Sequence, residues 1–158
     1  MTKHPQYFFP ARWTRQLAAS GAALALFCLA CLMAPAHAAP FITDDEKSVR
    51  AVVEGQLAAF AKDDANKAFS FAAPNVREAV GNARGFLAMV RRDYPVVYRP
   101  ASVAFLKAEG KDDQVIQRVQ LTDASGDAWL AIYSLERQKN RSWRITGCLV
   151  VENKGRMV

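Results

Sequence analysis

Six side chains of this 158-residue chain are candidates for holding a ligand: Gln56, Tyr94, Tyr98, Arg99, Gln117 and Tyr133. Gln56 falls by helical spacing between Val52 and Phe60 on an apolar face, where a neutral amide must find hydrogen-bond partners once buried. It either lines a pocket and orients a ligand, or ties its helix to a strand through Tyr133 or a backbone group. Tyr94, Tyr98 and Arg99 bracket the point where helical spacing gives way to β-branched runs. Phenols and a guanidinium there can hold an anionic or carbonyl-bearing ligand. The plainer alternative is an aromatic rim beside a solvated arginine. Gln117 interrupts Val115, Val119 and Leu121 on one strand face, while Arg118 and Gln120 share the other with Ile116. Which face is inner stays open at this level.

The beginning of the chain limits the chemistry available to these residues. The first sixteen residues carry Lys3, Arg12 and Arg15 with no acid, and Leu17 to Met33 form an apolar run of 17 residues. Ala36 and Ala38 then supply an A-x-A step, so a signal peptide over 1–38 is expected, cleaved between Ala38 and Ala39. The run is also at the lower limit of the roughly 17 to 25 residues that span a bilayer, and an uncleaved inner-membrane anchor is the alternative. The expected location is exported, periplasmic or extracellular.

Removal of such a leader takes His4, His37, Cys28 and Cys31 with it, leaving no histidine and Cys148 alone. Serine or cysteine nucleophiles paired with histidine, and His-ligated metals, are thereby set aside, as is an internal disulfide. No catalytic residue, metal or cofactor is expected. Cys148 reads as a small buried residue, with an intermolecular disulfide as the alternative. From Ala39 onward 18 Lys and Arg face 15 Asp and Glu, a net +3. Arg77, Arg84, Arg91, Arg92 and Arg99 make the middle of the chain basic. No nucleic-acid partner is expected from so mild a charge. A solvated face is the default, and anionic lipid or a cell-wall polymer is the sharper alternative. Asp123 to Asp127 has some calcium-loop character, but Ser134 stands where the twelfth-position Glu is required, so a hairpin turn is expected.

The elements positioning these residues follow from periodicity. Thr43 and Glu46 form a capping box opening a helix to about Lys62, with Val49, Val52, Val53, Leu57 and Phe60 on one face. Asp63-Asp64 ends it and caps a second helix carrying Ala68 and Phe69, stopped by Pro74. Asn82 precedes a third helix, with Phe86, Leu87 and Val90 on one face, ended by Tyr94-Pro95. Strands are expected over Val96 to Tyr98, Ser102 to Ala108, Gln114 to Leu121, Ala128 to Glu136 and Ser142 to Val151. The turns between them are 110–113, 123–126 and 139–141. Short connections imply an antiparallel meander, and segregated helices and strands an α+β domain. The last two strands are apolar at both parities, so both sheet faces are expected to be covered, the second by a twin subunit. The expected organisation is a short linker at 39–42, one domain over 43–152 and a polar tail at 153–158.

Gly55 to Asp64, followed by Ala68-Phe69-Ser70-Phe71-Ala72-Ala73-Pro74, resembles the opening of a bacterial family of uncharacterised domains. Further matches are Phe86 to Arg91, Tyr94 to Pro100 and Trp143 to Cys148. That family is similar to the cone-shaped nuclear transport factor 2-like superfamily, which includes SnoaL-like and ketosteroid isomerase-like proteins. The resemblance implies a long first helix curled into a strongly bent antiparallel sheet, with a pocket between them and Tyr94, Tyr98 and Arg99 at its mouth. Fold alone does not choose among enzymes, binders and scaffolds. Isomerase chemistry needs a carboxylate in an apolar pocket, whereas the acids here lie mainly at helix ends and turns, Glu54 and Asp93 being those that approach it.

The favoured reading is therefore a noncatalytic domain binding a small apolar or amphipathic ligand or a protein partner, and forming a homodimer. The alternatives are a small isomerase, dehydratase or hydrolase using Tyr and carboxylate groups, and a dimeric envelope scaffold. Membrane contact is expected only through an uncleaved leader or the weak basic face.

Overall fold

The computed structural model describes residues 6–7 and 43–153. Apart from Gln6 and Tyr7, the expected leader with its cleavage step at Ala38–Ala39, the linker at 39–42 and the tail beyond Asn153 lie outside the described residues. A two-residue strand β1 (Gln6–Tyr7) comes first. Five helices follow: α1 (Thr43–Ala61), α2 (Ala65–Ser70), α3 (Pro74–Val80), α4 (Ala83–Asp93) and α5 (Pro95–Tyr98). The chain then runs through β2 (Ser102–Phe105), β3 (Glu109–Lys111), β4 (Gln114–Thr122), β5 (Ala128–Arg137) and β6 (Trp143–Glu152).

The helices form where their local signals place them. Val49, Val53, Leu57 and Phe60 of α1 are buried at three- and four-residue intervals, the stripe read from the sequence. Asp64 caps α2 by accepting from the Lys67 N–H at 2.9 Å, and Asn82 caps α4 by accepting from the Gly85 N–H at 2.8 Å. Two expectations are corrected. Pro74 does not merely follow a helix but occupies the first turn of α3, where its missing N–H costs nothing. Val96 to Tyr98 is not a strand but the single turn α5, closed by Tyr98 N–H to Tyr94 C=O and Arg99 N–H to Pro95 C=O, both 3.0 Å. An extended run would send alternate side chains to opposite faces, whereas Val96, Val97 and Tyr98 are all buried.

The sheet is antiparallel in the order β1-β6-β5-β4-β2, with β3 also pairing with β4. Residues 110 and 111, expected in the turn 110–113, thus belong to β3, and the tight turn narrows to Asp112-Asp113. The meander of β4, β5 and β6 is as expected. Between Ser134 and Leu135 the register with β6 shifts, leaving Thr146 as an extra residue whose hydroxyl donates to the Ser134 carbonyl at 3.1 Å. Such a bulge bends the strand and increases its twist, curling the sheet around the helices. It also switches the parity of β6, so that Trp143 and Ile145 before it and Cys148 and Val150 after it all face inward.

The inner face is settled by burial: Val115, Gln117, Val119 and Leu121 of β4 meet Ala131, Tyr133 and Leu135 of β5 under the helices. Phe60, Phe69 and Phe86 pack at centroid distances of 5.6 to 5.7 Å. A fully buried side chain of this size contributes about 1.5–3 kcal/mol. At the far end of α1, Asp45 accepts from Arg137 at 2.5 Å and from the Trp143 indole at 3.4 Å, clasping the helix start to the β5–β6 hairpin.

Candidate functional site

The polar centre of the helical side is Asp63, in the turn between α1 and α2. The Asp64 N–H bonds to the Ala59 carbonyl and the Asp63 N–H to the Phe60 carbonyl, a Schellman closure of α1. That geometry requires a left-handed residue, and Asp63 supplies it with φ 58° where glycine is usual. Its carboxylate is held from the other side. The Tyr98 hydroxyl donates a short hydrogen bond to Oδ1, Arg99 Nη2 donates to Oδ2 at 2.9 Å, and Arg91 stands at 4.0 Å. The guanidiniums of Arg99 and Arg91 lie 4.9 and 5.2 Å from the centre of the Tyr98 ring.

These contacts set the electrostatics. The Tyr98 hydrogen bond holds the Asp63 carboxyl below the usual carboxylate range; desolvation opposes it, and the charges of Arg99 and then Arg91 add to the lowering. The same bond raises the Tyr98 phenol. Tyr98 and Arg99 are therefore brought together at the α5 turn by Asp63. By local spacing alone Asp63 is a helix stop beside the cap of α2. The available signal was an acid standing at the C-terminal cap where glycine is the usual residue.

Asp63 also lines an open cleft of ≈ 830 Å³ with Asp64, Ala65, Asn66, Asn82, Ala83, Arg84 and Leu87. A second depression of ≈ 430 Å³ continues along α4 past Leu87 and Ala88 to Arg91 and Arg92. Arg92 is paired with Asp93 at 2.7 Å. Arg84, shared by both depressions, has no carboxylate within 4 Å among the described residues.

The other candidates lie in the interior. Gln56, 2 % exposed, donates to the Ala68 carbonyl at 3.2 Å and so ties α1 to α2. Gln117, 1 % exposed, donates to the carbonyls of Leu106 and Arg118 at 2.6 and 2.9 Å, holding the β2–β3 connection against β4. Tyr133 is fully buried, and its hydroxyl has no conventional hydrogen-bond partner. Burial drives its phenol well up, helped by the Cys148 thiol opposite it in the ladder. Cys148 is likewise raised far above an ordinary thiol by burial, which leaves it protonated and unreactive. The Tyr94 phenol is raised by burial, then by Asp93 and Cys148.

The volume between α1 and the sheet, where the resemblance implied a pocket, is occupied by Phe60, Phe86, Tyr133, Leu135 and Ile145, each under 2 % exposed. Glu54 is exposed and paired with Arg50, and Asp93 with Arg92, so neither acid enters it. Asp123 accepts from the N–H groups of Ser125 and Asp127 and from the Trp129 indole, as a hairpin turn requires. Among the described residues no group of three or more His, Cys, Asp or Glu side chains gathers to hold a metal ion, and no helix is long and apolar enough to cross a membrane.

Comparison with known proteins adds the following. The family described as a domain of unknown function, DUF4864, matches residues 42–158. No curated protein matches the chain. Among solved structures it is similar to an NTF-2-like protein of unknown function from Burkholderia xenovorans LB400. The two are 14% identical with a TM-score of 0.44, the match covering 71% of this chain and 90% of the other.

Proposed function

The chain belongs to the DUF4864 family of domains of unknown function, so its function must be argued from its surfaces, and we propose that it is an exported, noncatalytic interaction domain that pairs with a second copy through the outer face of β4, β5 and β6. The observation carrying this reading is an aliphatic patch on that face. Leu130 lies opposite Val151, Ile132 opposite Leu149, and Ile116 opposite Ser134, while on the β4 side of this patch Arg118, ion-paired with Glu109, lies opposite Ile132 and Gln120 opposite Leu130. All five aliphatic side chains are only half-buried and stand outside the core clusters. No described element lies over them. A second copy is the natural cover, because a face rotated onto itself about a twofold axis matches apolar stripe to apolar stripe.

A filled interior supports the same reading. Among the described residues the buried polar groups include two amides, each bonded to backbone carbonyls, and the Tyr133 phenol, and not an acid in an apolar pocket. Export rests on the leader pattern alone. The test is native mass spectrometry of the protein purified from its own compartment, which reports the N-terminus, subunit number and any retained ligand together. A dimer beginning at Ala39 is expected. Ile132→Arg places a second positive charge directly opposite Arg118 at the centre of the face and is expected to shift the protein to monomer without loss of helix or sheet by circular dichroism. A protein that is monomeric before the substitution, or stays dimeric after it, rejects the face.

A further inference from the structure

The arginine-lined groove along α4 lies on the helical side, away from the sheet face assigned to the second copy. α4 buries Phe86 and Val90 and turns the opposite side outward, where Arg84, Ala88, Arg91 and Arg92 follow one another at helical spacing. The two depressions share Arg84 and Leu87: the first is walled by the α1–α2 turn and the start of α2, the second runs along the surface of α4 alone, and Ala65, Leu87 and Ala88 supply their apolar lining.

The charges in this groove are unevenly committed. Asp63 is engaged by Tyr98 and Arg99, and Asp64 accepts the Lys67 amide. Among the described residues Arg84 has no carboxylate within 4 Å and Arg91 has only Asp63 at 4.0 Å, whereas Arg92 is committed to Asp93 at 2.7 Å. Seven residues separate Arg84 from Arg91, two helical turns or about 10 Å along the axis. Guanidinium groups favour carboxylates because their planar donors meet both oxygens. A flat bilayer would touch the protruding arginines but leave the apolar floor between them unfilled. An amphipathic helix fits both, with carboxylates on the arginines and leucine-sized side chains on the floor.

We infer that this α4 surface, bounded at its Arg84 end by the start of α2 and carrying Arg84 and Arg91, is a docking site for an acidic amphipathic helix of a partner protein. The probe is a fluorescein-labelled 15-residue helical peptide with glutamates seven residues apart and leucines between them on the same face. It is titrated against the full-length chain, alongside a scrambled peptide of the same composition and phosphatidylglycerol vesicles.

The patterned peptide is expected to bind, more weakly as salt rises. Arg84→Glu should reduce its affinity about tenfold, and Arg84→Glu with Arg91→Glu further still. Arg77→Glu on the exposed side of α3 serves as a control and should change it little. Circular dichroism checks that each variant is folded, and repeating the titration on Ile132→Arg separates this site from the proposed dimer face. Equal binding of the scrambled peptide, binding indifferent to Arg84, or no binding overturns the inference. Arginine-dependent binding of the vesicles without the peptide also overturns it, assigning the face to lipid headgroups instead.

Discussion

Asp63 shows how one residue can be held by its backbone and its side chain at once. Its left-handed backbone closes α1, a conformation that disfavours most side chains, while its carboxylate is gripped by Tyr98 and Arg99. The Tyr98 bond is the largest cause of the lowered carboxyl pKa. Tyr98→Phe is therefore expected to move the Asp63 pKa upward, leaving desolvation and the charges of Arg99 and Arg91 to oppose one another. Carbon-detected NMR titration of the side-chain carboxyl reads this directly. An Asp63 titration identical in both proteins would show that the hydroxyl is not its main partner. Tyr98 and Arg99 were legible as polar groups at a junction. Their common acid was not, because it lies 35 and 36 residues away along the chain.

Among the elements, α1 and the Phe71 segment are joined by a close approach. A Cβ built on Gly55 would sit 2.5 Å from Phe71 Cζ, so α1 carries glycine where the ring lies across it. Alanine in mid-helix normally gains about 1 kcal/mol over glycine. Here overpacking, which costs about 1–3 kcal/mol, opposes that gain. Gly55→Ala alone is expected to destabilise the protein in urea unfolding. In a Phe71→Ala background the same change should stabilise it by up to ~1 kcal/mol, a reversal of sign that a double-mutant cycle detects. Destabilisation in both backgrounds would place the constraint elsewhere. The same segment explains a boundary misread in the sequence. Phe71 and Ala73 bond to Ile145 of β6 at 2.9 and 2.8 Å, so the chain must leave α2 to meet the sheet before Pro74 starts α3. Pro74 marks a start as well as a stop, a distinction that depends on where Ile145 lies.

For the whole molecule, the distribution of titrating groups sets the pH range of stability. Asp63, Asp93 and Glu109 are lowered by hydrogen bonds and charges from Tyr98, Arg92 and Arg118 respectively. Groups lowered in the folded state add stability above their unfolded pKa and lose it as pH falls through the folded one. Tyr133, Tyr94 and Cys148 are raised chiefly by burial, and Tyr98 chiefly by its bond to Asp63. Their contribution is complete below the ordinary thiol and phenol range and declines as pH rises through it. Residues 43–153 contain no histidine to titrate between these limits. The melting temperature is thus expected to be nearly constant from about pH 5 to about pH 8, falling on both sides. The acid-side fall should be shallow, because these pairs are exposed and screened. A step near pH 6.5 in differential scanning calorimetry would contradict this account.

What the sequence determined by itself is what short-range chemistry controls. The caps at Asp64 and Asn82, the stripe of α1 and the meander turns each depend on residues a few positions apart, and the absence of histidine from residues 43–153 is composition alone. The order of helices before strands follows from these, and with it the α+β class. Tertiary structure alone decided the rest. It turned Val96 to Tyr98 into a helical turn by burying three consecutive side chains, and chose the Val115–Leu121 face of β4 as inner. The bulge at Thr146 aimed Cys148 at Tyr133, and packing of α1 against α5 brought Asp63 to Tyr98. Each outcome depends on which distant surface is available to bury a side chain or satisfy its charge, and local spacing carries no record of that.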